Sequence, residues 1–238
     1  MTSAAAALLR WLSARTGFSL ALNRLKEPAT ALGLAFGVVF VLLAASLERR
    51  SAPTGAIDRT LSGAVFGLTL PLVAYAIVAS ATGRVRLDDA VSGLTRWGAR
   101  RNATALGMVS ACMAIAAVLG ALLAGLGVVV ARVPSDGAFA TDLATSSWLG
   151  LLAGGAYAAL FCFGATFGAR GGGRLVLLAI DWILGASAGT AAVPVLRGHV
   201  RNLLGAEPVL GMPQWAALLC LLGIGTVCAS AAIWRSRR

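Results

Sequence analysis

An all-α polytopic membrane fold is the class this sequence predicts, and three observations predict it. Hydrophobic residues make up 58% of the 238-residue chain, charged residues 12%, and the mean hydropathy is +0.85. A soluble domain has neither so few charges nor so much apolar surface to hide. The second observation is a series of apolar runs close to or above the ~20 residues a bilayer core requires. The third is the placement of charge. The net charge of +11 sits in short segments between the apolar runs rather than on one soluble face, which argues against a nucleic-acid partner.

Residues 1–28 read as an amphipathic interfacial helix. Leu8, Leu9, Trp11, Leu12, Phe18, Leu20, Leu22 and Leu25 are interrupted by Arg10, Arg15, Arg24 and Lys26. Such a helix lies with its apolar side among acyl chains and its cations among anionic headgroups. A secretory signal peptide is the competing reading, but its charges precede an uninterrupted apolar core, and here they run throughout.

The remainder, 29–238, reads as a transmembrane domain with six spans at 29–47, 61–82, 104–131, 146–168, 175–195 and 214–234. Counting basic residues on alternate sides puts fourteen with the two termini and the 83–103 segment, and six (Arg49, Arg50, Arg59, Arg132, Arg197, Arg201) opposite. The positive-inside rule then makes both termini cytoplasmic. Nineteen of the twenty basic residues are Arg, a skew that fits a GC-rich bacterial genome and hence a bacterial inner membrane. Glycines at i, i+4 recur within the spans (Gly33/Gly37, Gly63/Gly67, Gly150/Gly154, Gly164/Gly168, Gly185/Gly189). That spacing lets helix backbones approach closely. Pro71 within the second span predicts a kink near Gly67 to Pro71.

The longest polar interruption is the cytosolic loop 83–103, which carries Arg84, Arg86, Arg96, Arg100 and Arg101 against only Asp88 and Asp89. Val91, Leu94 and Trp97 recur at i, i+3 and i+6, an apolar stripe able to enter a groove on a soluble partner. Arg96, Arg100 and Arg101 would flank that contact or hold the helix to anionic headgroups. The plainer account is that the loop merely obeys the positive-inside rule.

Asp181 breaks the apolar rule inside the fifth span, about 15 Å deep. A buried carboxylate there is either a pathway residue or a bundle hydrogen bond to Trp182, Ser187 or Tyr157. Residues 194–213 follow, mixing apolar positions with Arg197, His199, Arg201 and Glu207 between prolines. An external re-entrant hairpin fits this mixture, with a flat amphipathic helix on the outer surface as the alternative.

Catalytic constellations are missing. Ser187 between Gly185 and Gly189 is similar in outline to an intramembrane serine nucleophile, but His199 is the only histidine and lies beyond the same span. No second histidine exists for a haem or metal site. The run 168–174 is glycine-rich but lacks the Gly-Lys-Ser/Thr of a phosphate loop. Cys112, Cys162, Cys220 and Cys228 all fall in apolar runs and read as buried spectators.

The layout resembles the type-2 ABC transporter permeases, the ABC-2 membrane-subunit family. The features that carry the resemblance are the basic interfacial segment Leu8 to Lys26, six spans with both termini inside, the loop Arg84 to Arg101, and the hairpin Pro194 to Pro213. The resemblance implies a membrane subunit that forms a pathway as a homo- or heterodimer and works by export. The chain itself would carry no cofactor and no enzyme activity; ATP and Mg would sit on a separate ABC ATPase subunit that docks on Arg84 to Arg101. A non-transporting membrane anchor or assembly factor is the alternative function.

Overall fold

The computed structural model describes residues 3–134 and 136–237, with side chains from residue 7 onward. Met1, Thr2, Ser135 and Arg238 lie outside the described residues, and with them one arginine of the basic count. Every regular element among the described residues is helical: α1 (Ser3–Leu25), α2 (Pro28–Ser51), α3 (Ala56–Arg59), α4 (Leu70–Ala81), α5 (Leu87–Thr95), α6 (Arg101–Ala131), α7 (Phe139–Gly164), α8 (Gly173–Leu184), α9 (Leu196–Leu203) and α10 (Gln214–Arg235). A π-helical stretch, Thr60–Thr69, joins α3 to α4 as one continuous helix. The disruption expected around Gly67 and Pro71 takes this form. Leu70 donates to the Val65 carbonyl, five residues back, and Pro71 follows with no N–H to give.

Among the described residues, five helices are long and apolar enough to cross a membrane: Pro28–Ser51, Ala56–Ala81, Arg101–Ala131, Phe139–Gly164 and Gln214–Arg235. The expected span 175–195 is not one of them. Its helix, α8, stops after 12 residues at Leu184, roughly 18 Å of rise. Small residues follow at Gly185, Ala186, Ser187, Ala188 and Gly189, and Pro194 bars a restart until α9. Hydropathy cannot separate a spanning helix from a broken one buried among its neighbours, because both are apolar. The chain still passes from the end of the bundle where α8 begins to the end where α10 begins.

The bundle is built on the α6–α7 pair. A Cβ at Gly150 would overlap the Gly120 carbonyl, and one at Gly154 would overlap the Ala116 carbonyl, so backbones touch where lipid provides no hydrophobic drive. Of the expected glycine pairs, this is the one in which both members overlap a carbonyl of a neighbouring helix; Gly164 and Gly168 approach the backbone at the start of α8 instead. Gly33, Gly63 and Gly189 meet nothing within 4 Å. Tyr157, Phe66, Phe161, Leu70, Ile77 and Met108 fill the space between the helices, with Tyr75 and Phe161 edge to face at 5.8 Å.

Helix α1 lies across one end of this bundle. A Cβ at Gly17 would overlap the Thr104 carbonyl and one at Gly107 the Ala14 carbonyl, so α1 crosses the first turns of α6 at backbone contact. Ser13 Oγ accepts the Arg100 N–H at 3.1 Å, and Arg24 donates to the Ala81 carbonyl at 3.0 Å. Half-burial at that contact pulls the Arg24 guanidinium below its ordinary pKa, with Glu27 acting against it. Leu8, Leu9, Trp11 and Leu12 remain exposed on the other side of the helix. At the opposite end of the bundle Ala45, Ala56 and Ala131 pack together, and Arg59 pairs with Glu48 at 2.7 Å.

Candidate functional site

The short helices α8 and α9 meet around Asp181, which is 1% exposed. Tyr157 on α7 donates its hydroxyl to Asp181 Oδ2 at 2.9 Å, and the backbone N–H of Arg197 donates to Oδ1 at 3.0 Å. Arg197 is the second residue of α9, so the carboxylate of one helix satisfies a free N–H at the start of the next. The residue that precedes α9, Val195, has no side-chain oxygen to do this. Among the partners considered from sequence, Tyr157 is the one that reaches Asp181. Ser187 instead bonds the Leu184 carbonyl.

Residues 185–195 leave α8, turn, and descend again to the level of Asp181, where α9 starts outward. Close approach is possible because position 185 is glycine. A Cβ there would stand 2.5 Å from the Arg197 Cβ. His199 and Arg201 bind the descending limb: His199 Nε2 lies 2.8 Å from the Val193 carbonyl oxygen, and Arg201 donates to the Gly185 and Ala186 carbonyls. Asn202 donates to the Met212 carbonyl at 2.9 Å, closing the hairpin against the start of α10. Glu207 is exposed at its tip. Ala192, Val195 and Val209 form a small apolar core inside the hairpin, and α9 packs inward on α7, α10 and the π-helical stretch.

Polar atoms gather around this junction without partners. Trp182 Nε1 on α8 and Arg197 Nε and His199 Nδ1 on α9 are buried with no hydrogen bond among the described residues, and on the π-helical stretch the hydroxyls of Thr60, against α6, and Thr69, against α2, are buried and unpartnered as well. The Arg197 guanidinium reaches toward the middle of the π-helical stretch, its Nη2 3.6 Å from where a Gly67 Cβ would stand. Beyond α9 the bundle opens into a vestibule of about 520 Å³ whose walls include Leu203, Gln214 and the acidic trio Asp58, Asp136 and Asp142. Asp181 fixes the inner end of α9, and the outer end of α9 forms one wall of this vestibule.

The 83–103 segment departs from expectation. Gly83 and Arg84 end α4 with φ of 67° and 60°, and α5 then turns its apolar side onto its own protein. Val91 is fully buried with Leu87 and Ala90, and Leu94 is half-buried. The three-residue stripe is therefore not free for a partner groove. Its inner member seals the bundle, because a helix this short lowers its energy most by covering the nearest apolar surface, here α6. Arg86 ties α5 to the α7 end, donating to Asp88 at 3.1 Å and to the Thr166 carbonyl at 3.1 Å. Trp97 lies past the end of α5 and is 89% exposed. Arg84, Arg96 and Arg100 are exposed as well, Arg101 is half-buried, and Arg100 and Arg101 line a cleft beside α1.

Sequence reasoning missed Arg174. It is buried and donates to Thr82 Oγ1 at 2.6 Å and to the Gly171 carbonyl at 3.0 Å, locking the start of α8 to the end of α4. Nothing in its spacing distinguishes it from the loop arginine Arg170. The four cysteines are free thiols. Compared with protein-family models, with curated proteins and with solved structures, the chain matches none.

Proposed function

We propose that the chain is the membrane-spanning subunit of a transporter of the type-2 ABC class, one of two permease chains driven by a separate ATPase. The observation that carries the reading is the broken α8–α9 unit: backbone interrupted within the bundle, held by a buried carboxylate, carrying three unpartnered buried side-chain nitrogens and ending on an open vestibule. Irregular backbone at membrane depth is tolerated only where it is buried in protein or lines a water-filled cavity, and this unit is buried at its inner end and opens on a vestibule at its outer end. Unsatisfied buried donors point the same way, since each is costly unless another conformation or a passing solute engages it.

In this reading the chain passes the bacterial inner membrane six times, counting the broken segment as one passage, with both termini cytoplasmic. The basic end carrying α1, α5 and the close of α10 then faces the ATPase. Trp97, Arg84, Arg96 and Arg100 are exposed on the flanks of α5 and offer a grip. The acidic vestibule faces outward.

A non-transporting membrane anchor is the second reading, and the burial of Val91 favours it, because α5 then serves the bundle rather than a partner. Co-purification in mild detergent, mass spectrometry of the retained proteins and an ATP-hydrolysis assay separate the two. The permease reading expects a nucleotide-binding protein with a Gly-x-x-x-x-Gly-Lys-Ser/Thr loop in equal number. Recovery of the chain with no such protein, under conditions that preserve its fold, gives the anchor reading instead.

A further inference from the structure

Helices α6 and α7 bring two cysteines together. Ala116 lies opposite Gly154 and Gly120 opposite Gly150 at backbone contact, an antiparallel register that sets Cys112 level with Ala158 and Met108 level with Cys162. The Cys112 and Cys162 thiols, one helical turn apart in that register, are within hydrogen-bonding reach of each other. Both are fully buried, as is Met108, which precedes Cys112 by four residues and shares its face of α6. Cys162 lies close to the end of α7, beside a turn in which Gly168, Ala169 and Arg170 are exposed. An ion from the aqueous side has a short way to travel to it.

A cation stands beside this pair without a carboxylate to match it. Arg174 is buried and packs on α7 at Gly164, where a Cβ would stand 2.9 Å from the Arg174 Cα. Its guanidinium donates to the Thr82 hydroxyl and to the Gly171 and Arg170 carbonyls, and no carboxylate forms a salt bridge with it among the described residues. The titratable groups that face it are Tyr75 and Cys162. A buried charge is costly unless an opposite charge lies near, and a cation beside a thiol favours the thiolate. Two neutral thiols leave the guanidinium unanswered.

Thiolates select soft metal ions such as cuprous copper. Two thiolates around one monovalent ion carry a single net negative charge, which Arg174 balances, so the assembly as a whole is neutral and suits an apolar interior. Zinc fits poorly, because it takes four ligands in a structural site, and no group of three or more His, Cys, Asp or Glu side chains gathers among the described residues.

We propose that Cys112 and Cys162 form a two-thiolate site for a soft monovalent metal ion, cuprous copper, between α6 and α7, with Arg174 as the counter-charge and Met108 as a neighbouring thioether. On binding, two S–H bonds break, two metal–sulfur bonds form and two protons leave to solvent, with no change of oxidation state. The ion clips α6 to α7 near the point where α8 begins. The site requires no second protein, and it stands whether or not an ATPase partner exists.

The test titrates the reduced full chain in mild detergent with cuprous ion delivered from bicinchoninate, and counts bound metal by native mass spectrometry. Wild-type protein is expected to take about one copper per chain. Because two protons leave, the apparent affinity should rise by up to about a hundredfold per pH unit while both thiols are protonated. Cys112→Ser/Cys162→Ser should lower the affinity at least about a hundredfold, and Cys220→Ser/Cys228→Ser should leave it unchanged. No uptake by wild type, undiminished uptake by the first double variant, or loss of uptake in the second overturns the proposal. Displacement of the copper by an equal concentration of zinc overturns the soft-metal assignment. Should Cys112→Ser/Cys162→Ser not run as a single species on gel filtration, X-ray absorption at the copper edge of the wild-type complex carries the test. A shell of sulfur alone is expected, and a nitrogen or oxygen ligand is then the overturning result.

Discussion

The carboxylate of Asp181 on α8 accepts the backbone N–H of Arg197 on α9 at 3.0 Å, so that a residue near the end of one short helix completes the start of another sixteen positions on. The second carboxylate oxygen holds Tyr157 of α7, and three elements therefore depend on one buried group. Asp181→Asn keeps an acceptor for the Arg197 N–H and should fold and insert normally. Asp181→Ala leaves the N–H and the Tyr157 hydroxyl unsatisfied, at a cost of about 1–3 kcal/mol. Hydrogen exchange checks this: the α9 amides should open faster in the Ala variant than in the Asn variant, and equal exchange in both would remove the capping role. If Asp181 also lines a pathway, Asp181→Asn alters transport or its pH dependence while exchange at α9 stays as in wild type.

Exposure at the ends of α5 separates two residues the sequence joins in one stripe. Val91→Asp puts a charge into a sealed contact and should lower the yield of folded chain. Trp97→Ala removes only an exposed ring and should leave insertion and thermal stability within about 0.5 kcal/mol of wild type. If an ATPase grips this end, Trp97→Ala should also weaken co-purification, by about 2 kcal/mol where the ring is a central anchor. Wild-type recovery of the ATPase with Trp97→Ala would show that the grip lies elsewhere.

The crossing of α1 over α6 rests on two glycines. Gly107→Leu forces side-chain atoms into the Ala14 carbonyl and Gly17→Leu into that of Thr104, so either should lift α1 from the bundle while the spans stay inserted. A cysteine pair at positions 13 and 100, where the Ser13 hydroxyl lies 3.1 Å from the Arg100 N–H, reports it. Cross-linking by a short reagent should be efficient in Ser13→Cys/Arg100→Cys and weak once Gly17→Leu is added. Undiminished cross-linking contradicts the close crossing.

The proposed orientation rests on the basic residues alone. A reporter active only in the cytosol should work when fused after residue 238 or within 93–97, and should be silent after Pro134. Activity after Pro134 means that the chain runs the other way or that a passage is miscounted.

Burial of the glycine contacts between α6 and α7 gives one further expectation. Gly150→Val cannot be accommodated by rotamer change, because the overlap is with the Gly120 backbone, so the folded protein should be lost. Gly33→Val faces open space and should be tolerated. Detergent-extracted, monodisperse protein measures both, and similar yields would contradict the packing.

Membrane residence, the helical class and five of the long apolar helices could be read from residues in order, because a bilayer selects for length and apolarity, and both are local properties of a chain. The basic character of the 83–103 segment and the special status of Asp181 were legible for the same reason, charge being costly or ordered near lipid wherever it occurs. What tertiary structure alone decided is which apolar residues face each other. Residues 175–195 are apolar enough to span, yet they break at Gly185 because the chain beyond packs back on α7 and α10 and Asp181 is there to receive the Arg197 N–H. Val91 reads as free and is sealed against α6, and Arg174 reads as one more loop cation and is locked to Thr82. Partners like these lie tens of residues away in sequence, and periodicity records only that a face is apolar, not whether lipid, another chain or the protein itself covers it.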